Sequence, residues 1–131
     1  MHICGICFDH AGEFIRVNGE LQFNVSRLKE KMTHIVYAHV VDGKVFYIGE
    51  SSITFRGRMR LYITHSGSTN VRARKFIKRF LKHGHKVETF CYKPGTILVD
   101  GVLEVNPYVG VEQALIKKLG RKLINKKDTA A

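Results

Sequence analysis

Cysteine is scarce: Cys4, Cys7 and Cys91 are an odd three in 131 residues. That excludes a dense disulfide framework and favours a reducing compartment. No apolar run approaches the roughly 20 residues that span a membrane. Met1-His2-Ile3-Cys4 has neither the basic start nor the long apolar segment of a secretory signal. The expectation is a soluble, cytoplasmic chain. Internal repeats, low-complexity linkers and Gly-rich nucleotide loops are also missing, and the length suits one domain.

Acid is in short supply too. There are 11 Asp+Glu against 22 Lys+Arg, for a net charge of +11. Between Glu50 and Glu88 there is no acid, while the same interval carries Arg56, Arg58, Arg60, Arg72, Arg74, Lys75, Lys78, Arg79, Lys82 and Lys86. A second basic run holds Lys117, Lys118, Arg121, Lys122, Lys126 and Lys127. A solvated surface usually mixes signs. One-signed runs are the footprint of a nucleic-acid binder. Arg56, Arg60, His65, Arg72, Arg74, Lys75, Lys78, Lys117, Lys118 and Lys122 are the candidate contacts.

Three dipeptides mark hairpins. Asn18-Gly19 separates Glu13–Val17 from Glu20–Val25, Asp42-Gly43 separates Ile35–Val41 from Lys44–Gly49, and Asp100-Gly101 separates Thr96–Val99 from Val102–Val105. Ser26 could cap a short helix from Arg27 to Met32. Phe55, Met59 and Ile63 predict a helix over Ile53 to Thr64. Ala73, Phe76, Ile77, Phe80 and Leu81 predict an amphipathic one over Val71 to Lys82. Val87 to Tyr92 reads as a strand. The result is an α+β fold: a small three-stranded antiparallel sheet flanked by helices in the order β-β-α-α-β-α. Residues 1–33 form a hairpin extension packed on that core, residues 34–127 the main domain with a hairpin insertion at 95–105, and residues 128–131 a frayed tail.

The last predicted helix, running to Leu119, holds an anomaly. Glu112 has Leu115, Ile116 and Leu119 at i+3, i+4 and i+7, so a carboxylate shares an apolar face. Burying one is costly unless it is paired or bound to a cation. In a basic protein this suggests a metal ligand that faces a polyanion. Arg58, Tyr62 and His65 share one stripe of the first helix. A guanidinium and a phenol together suit phosphate, although the stripe taken alone is better read as plain surface arginine.

These residues bring the chain to a family. Val36-Tyr37, followed by Tyr47-Ile48-Gly49, resembles the GIY-YIG nuclease superfamily, and the resemblance continues in order over about residues 35–125. Phe55-Arg56-Gly57-Arg58-Met59-Arg60-Leu61-Tyr62 looks like its first-helix segment, with Arg58 at the essential arginine and Tyr62 where members carry Tyr or His. Glu112 matches the metal-binding glutamate, and Asn125 the closing asparagine. There are departures. Ile35 replaces the initial Gly, and Glu50 stands where members often have Lys or Ser. Arg58 lies eleven residues past Tyr47, one more than is common, so Arg56 is a rival for its role.

The resemblance implies a Mg2+- or Mn2+-dependent endonuclease acting on DNA. In it Glu112 holds the ion, Arg58 braces the phosphate, Tyr37 and Tyr47 orient or deprotonate water, Tyr62 assists, and Asn125 fastens the glutamate helix. Glu50 is the other acid near the motif and the alternative ion ligand. Restriction, homing and phage roles all fit, with a nicking monomer or a homodimer cutting both strands. The alternative is the same fold with decayed catalysis, binding DNA or RNA as a repressor.

A plain two-residue turn at Asp42-Gly43 would pair Ala38 with Tyr47 and send the two tyrosines to opposite faces. A shared site therefore predicts an odd loop or a bulge, which Gly43 permits. Cys4-x-x-Cys7-x-x-His10, with His2 nearby, has a partial zinc pattern but no second Cys pair, so structural zinc is not expected. His39 could reach the active site from its strand but is assigned to structure, and His83 and His85 to the end of a helix.

Overall fold

In the computed structural model, which describes residues 1–64 and 70–125, a single antiparallel sheet runs through the middle of the chain. The elements are β1 (His2–Ile3), β2 (Ile6–Cys7), β3 (Asp9–Val17), β4 (Glu20–Val25), β5 (Ile35–Val41), β6 (Lys44–Ser51), α1 (Phe55–Thr64), α2 (Asn70–Lys82), β7 (Val87–Tyr92), β8 (Ile97–Val99), β9 (Leu103–Val105), α3 (Tyr108–Leu119) and a closing 3-10 turn, Gly120–Lys122. Among the described residues, no helix is long and apolar enough to cross a membrane.

The α+β class and the antiparallel core are as expected, but the sheet is wider. In place of three strands with a hairpin packed on them, five strands run β4-β3-β7-β5-β6. β5 occupies one edge of β7 (Val36↔Tyr92 to Val41↔Val87), and β3 fills the other (Asp9↔Cys91 to Phe14↔Val87). Without β3, that second edge would present unpaired backbone groups. The N-terminal hairpin is therefore part of the sheet.

Asn18-Gly19, Asp42-Gly43 and Asp100-Gly101 all have positive φ at both positions, as two-residue hairpin turns require. The expected helix over Arg27 to Met32 is absent. Residues 26–32 form hydrogen-bonded turns whose carbonyls cap another element: Phe55 N donates to Met32 O at 2.8 Å and Arg56 N to Glu30 O at 2.9 Å. Thr54 Oγ1 takes Gly57 N at 3.1 Å. These bonds satisfy orphan donors at the start of α1 and set its start at Phe55 rather than Ile53.

The sheet is packed on both faces. On one, Phe14, Ile35, Tyr37, Phe46, Tyr47 and Val87 meet Phe55, Met59 and Tyr62 of α1 and Ala73 and Ile77 of α2. On the other, Val36, Ala38 and Ile48 meet Leu115 of α3, together with Ile3, Phe8 and Leu123. The alternation along β5 places Tyr37 and His39 on the first face and Val36 and Ala38 on the second. β8 and β9 form a hairpin of their own outside the five-stranded sheet.

Candidate active site

The two motif tyrosines share a face because β6 carries an extra residue. Val41 pairs with Lys44 and Val40 with Val45 across a regular turn, but His39 then pairs with Tyr47 and Tyr37 with Gly49. Phe46 is left without a partner. The predicted irregularity is present, displaced from Gly43 to Phe46. The bulge also turns Phe46 into the helical-side core, where it meets Phe80 edge-on at 5.0 Å.

Gly49 has a specific steric role. A Cβ there would overlap Cζ and the hydroxyl of Tyr37, whose ring lies over the glycine. Only glycine lets Tyr37 cross the neighbouring strand at this depth.

Tyr37 and Tyr62 are both fully buried, and their hydroxyls lie 2.8 Å apart. Arg58 Nε donates to the Tyr37 hydroxyl at 3.1 Å, and the guanidinium sits 6.0 Å and 5.9 Å from the centroids of the Tyr37 and Tyr62 rings. Burial pushes the pKa of Tyr37, Tyr62 and Tyr47 up, so all three are neutral at ordinary pH. Burial works against the Arg58 charge, but the three tyrosine oxygens around it outweigh that and raise its pKa. Among the described residues, its terminal nitrogens have no protein partner. They border a cleft of about 290 Å³ lined by Glu50, Ser51, Ser52, Ile53 and Arg58.

His39, assigned from sequence to structure, lies inside this cluster. It stacks on Tyr47 at 5.4 Å with 19° between planes and meets Tyr62 edge-on at 5.0 Å. Its Nδ1 shares a 2.9 Å hydrogen bond with Thr89 Oγ1, and its buried Nε2 has no partner. Burial, with the Arg58 charge second, lowers its pKa to about 3. Pairing with Tyr47 is a consequence of the bulge and could not be read from β5 alone.

Glu112 is half-buried at the margin of the α3 stripe that packs on the sheet. Its field, like that of Glu50, helps to raise Tyr47. Asn125 grips the edge strand: Ile48 N donates to Oδ1 at 3.1 Å, and Nδ2 donates to Ile48 O at 2.6 Å. Ile124 N adds a bond to Phe46 O at 2.8 Å. The tail thus covers the outer edge of β6.

Of the two rival arginines, Arg58 reaches the tyrosines. Arg56 is exposed and lies 3.5 Å from Glu30. Arg56 and Arg60 on α1, Arg72, Lys75 and Lys78 on α2, and Lys117, Lys118 and Lys122 at the end of α3 and the turn beyond it are exposed, and Arg74 is half-buried. His65, Lys126 and Lys127 fall outside the described residues. Cys4 and Cys7 are exposed near the β1–β2 turn, and His10 lies 2.9 Å from Glu88. Among the described residues, no three His, Cys, Asp or Glu side chains converge as a metal cage.

A scan against protein-family models and a search of curated proteins return no match. Solved structures do. A mutant of bacteriophage T4 EndoII superposes with a TM-score of 0.65 at 18% identity, covering 85% of this chain and 86% of that one. The restriction endonuclease HPY188I, solved in complex with product DNA, superposes with a TM-score of 0.51 at 20% identity, covering 85% and 72%. At these identities the likeness establishes a shared fold, which extends over most of this chain.

Proposed function

We propose that this protein is a Mg2+-dependent endonuclease of the GIY-YIG type that hydrolyses DNA phosphodiester bonds. The observation that carries the reading is Arg58. It is a permanently charged fork, fixed through Nε by a buried tyrosine pair, whose terminal nitrogens open on a cleft. Unpartnered donors fixed in advance are what a transferring phosphoryl group needs. The shared fold of two endonucleases, one of them solved with product DNA, and the net charge of +11 support the same reading.

The residues divide the work. Arg58 binds the non-bridging phosphate oxygens. Tyr37 and Tyr62 act on Arg58, holding its guanidinium in one rotamer. Tyr47 orients water. Asn125 fixes the β6 edge on which Tyr47 and Gly49 stand. Glu112 supplies a single hard oxygen donor, which fits an ion that keeps most of its waters. An ion held by Glu112 would supply positive charge to offset the charge that develops on the phosphate during hydrolysis. The exposed cations of α1, α2 and the C-terminal run form the sequence-independent contact to the backbone of double-stranded DNA.

The test is incubation of the protein with supercoiled plasmid, and separately with RNA, in Mg2+. DNA cleavage is expected. Tight DNA binding without cleavage at any Mg2+ concentration replaces this reading with the catalytically decayed repressor.

A further inference from the structure

Hydrolysis needs a group to take the proton from the attacking water, and the tyrosines are poorly suited to it. The Tyr37 and Tyr62 hydroxyls are fully buried and bonded to each other, and Arg58 also bonds Tyr37. Tyr47 is 9% exposed, and its burial, with the fields of two glutamates as smaller causes, opposes its ionisation. A phenol with a raised pKa is a weak acceptor to recruit at neutral pH.

The cleft offers a different group. Glu50 follows Gly49 directly on β6, and Arg58 projects from α1. Both line the same cleft of about 290 Å³. Glu50 pairs in register with Val36, one residue past the Gly49 that receives Tyr37. No ion pair joins Glu50 to Arg58, and among the described residues Glu50 makes no side-chain hydrogen bond. A phosphate gripped by Arg58 would therefore share the cleft with a carboxylate that is not committed elsewhere. Glu50 shares the second face of the sheet with Val36, the face on which α3 and Glu112 pack, and meets Arg58 in the cleft at the end of β6.

We propose that Glu50 is the general base: its carboxylate takes the proton from the water that attacks a phosphodiester held by Arg58. This rests on the nuclease reading of the cleft. As the water oxygen bonds to phosphorus, its proton passes to Glu50. One phosphorus–oxygen ester bond breaks, and the departing sugar oxygen takes a proton from solvent. Glu50 returns its proton to solvent when the phosphomonoester leaves. The step needs no ionised tyrosine.

The test compares the full chain with Glu50→Gln and Glu50→Asp on a DNA duplex in Mg2+, reading kcat and KM from pH 5 to 10 and the thermal midpoint of each variant. Glu50→Gln is expected to keep its melting point, to lose roughly 10²–10⁴-fold in kcat with little change in KM, and to regain rate as hydroxide rises. Glu50→Asp should recover part of the loss. A wild-type kcat and pH profile in Glu50→Gln overturns the proposal while leaving the nuclease reading intact. So does a loss that extra Mg2+ alone restores, because that makes Glu50 an ion ligand. A wild-type chain that binds duplex and never cuts it removes the nuclease reading and the base together.

Discussion

Arg58 has neutral phenols for neighbours, so its charge is kept in place without being cancelled. A carboxylate in their position would leave little field for a phosphate. Arg58→Ala is expected to lower kcat roughly 10²–10³-fold with only a modest loss of DNA affinity, read by single-turnover cleavage and fluorescence anisotropy. Gly49→Ala tests the same network from below. Its methyl displaces the Tyr37 ring and breaks the bond to Arg58, so cleavage falls although no charged group is removed. His39 adds a pH signature. Its pKa falls to about 3 on folding, by burial first and the Arg58 charge second. The unfolded chain binds a proton between about pH 6.5 and 3 that the folded chain refuses. The stability linked to His39 is complete above pH 6.5 and declines as the pH falls toward 3. The expected loss between pH 7 and pH 5 is about 2 kcal/mol, seen as a lower urea midpoint, and much of it disappears in His39→Gln.

At the scale of elements, the β5–β6 hairpin and the tail beyond α3 set the geometry. Asn125→Ala removes two bonds to Ile48 on a half-covered edge. Stability should fall by about 1–2 kcal/mol, measured by denaturant midpoint, with cleavage reduced as β6 loosens. Much of this scale was legible in the sequence. Three Asn-Gly or Asp-Gly pairs gave three hairpins, because αL turns tolerate few other residues. The apolar spacing of Ala73, Phe76, Ile77, Phe80 and Leu81 gave α2. Even the bulge followed from requiring two tyrosines on one face, but its position did not. Phe46 is extruded because the helical-side core, with Phe80 waiting, accepts it, and that is a tertiary fact. The five-stranded sheet was hidden for a similar reason: β3 finds β7 across more than seventy residues, and no local pattern records the partner of an edge. The turn at 26–32 was read as a helix because its cap residue was visible, whereas the α1 donors that claim its carbonyls were not. Within the site, the cleft that Glu50 shares with Arg58 and the stacking of His39 on Tyr47 come from long-range pairing.

At the scale of the whole molecule, DNA affinity on the proposed reading is a function of salt, through a net charge of +11 with cations on α1, α2 and the C-terminal run. With a cleavage-dead Glu112→Ala chain, affinity is expected to fall as salt rises, steeply and log-linearly. Replacing Lys75 and Lys78 together by Ala should reduce the slope by about 0.9 for each phosphate that is no longer neutralised. A slope near zero would place the binding energy somewhere other than in the charge. The functional reading stands on Arg58, the tyrosines and Glu112 forming one phosphodiesterase site. The most direct measurement is the rate of supercoiled-plasmid cleavage as a function of Mg2+ for the unmodified chain, Arg58→Ala and Glu112→Ala, each confirmed as folded. Metal-dependent nicking or cutting by the unmodified chain is expected, slowed at least roughly a hundredfold in both variants while DNA binding survives. Cleavage that is indifferent to Mg2+, or that persists undiminished in both variants, would contradict a single site of this kind.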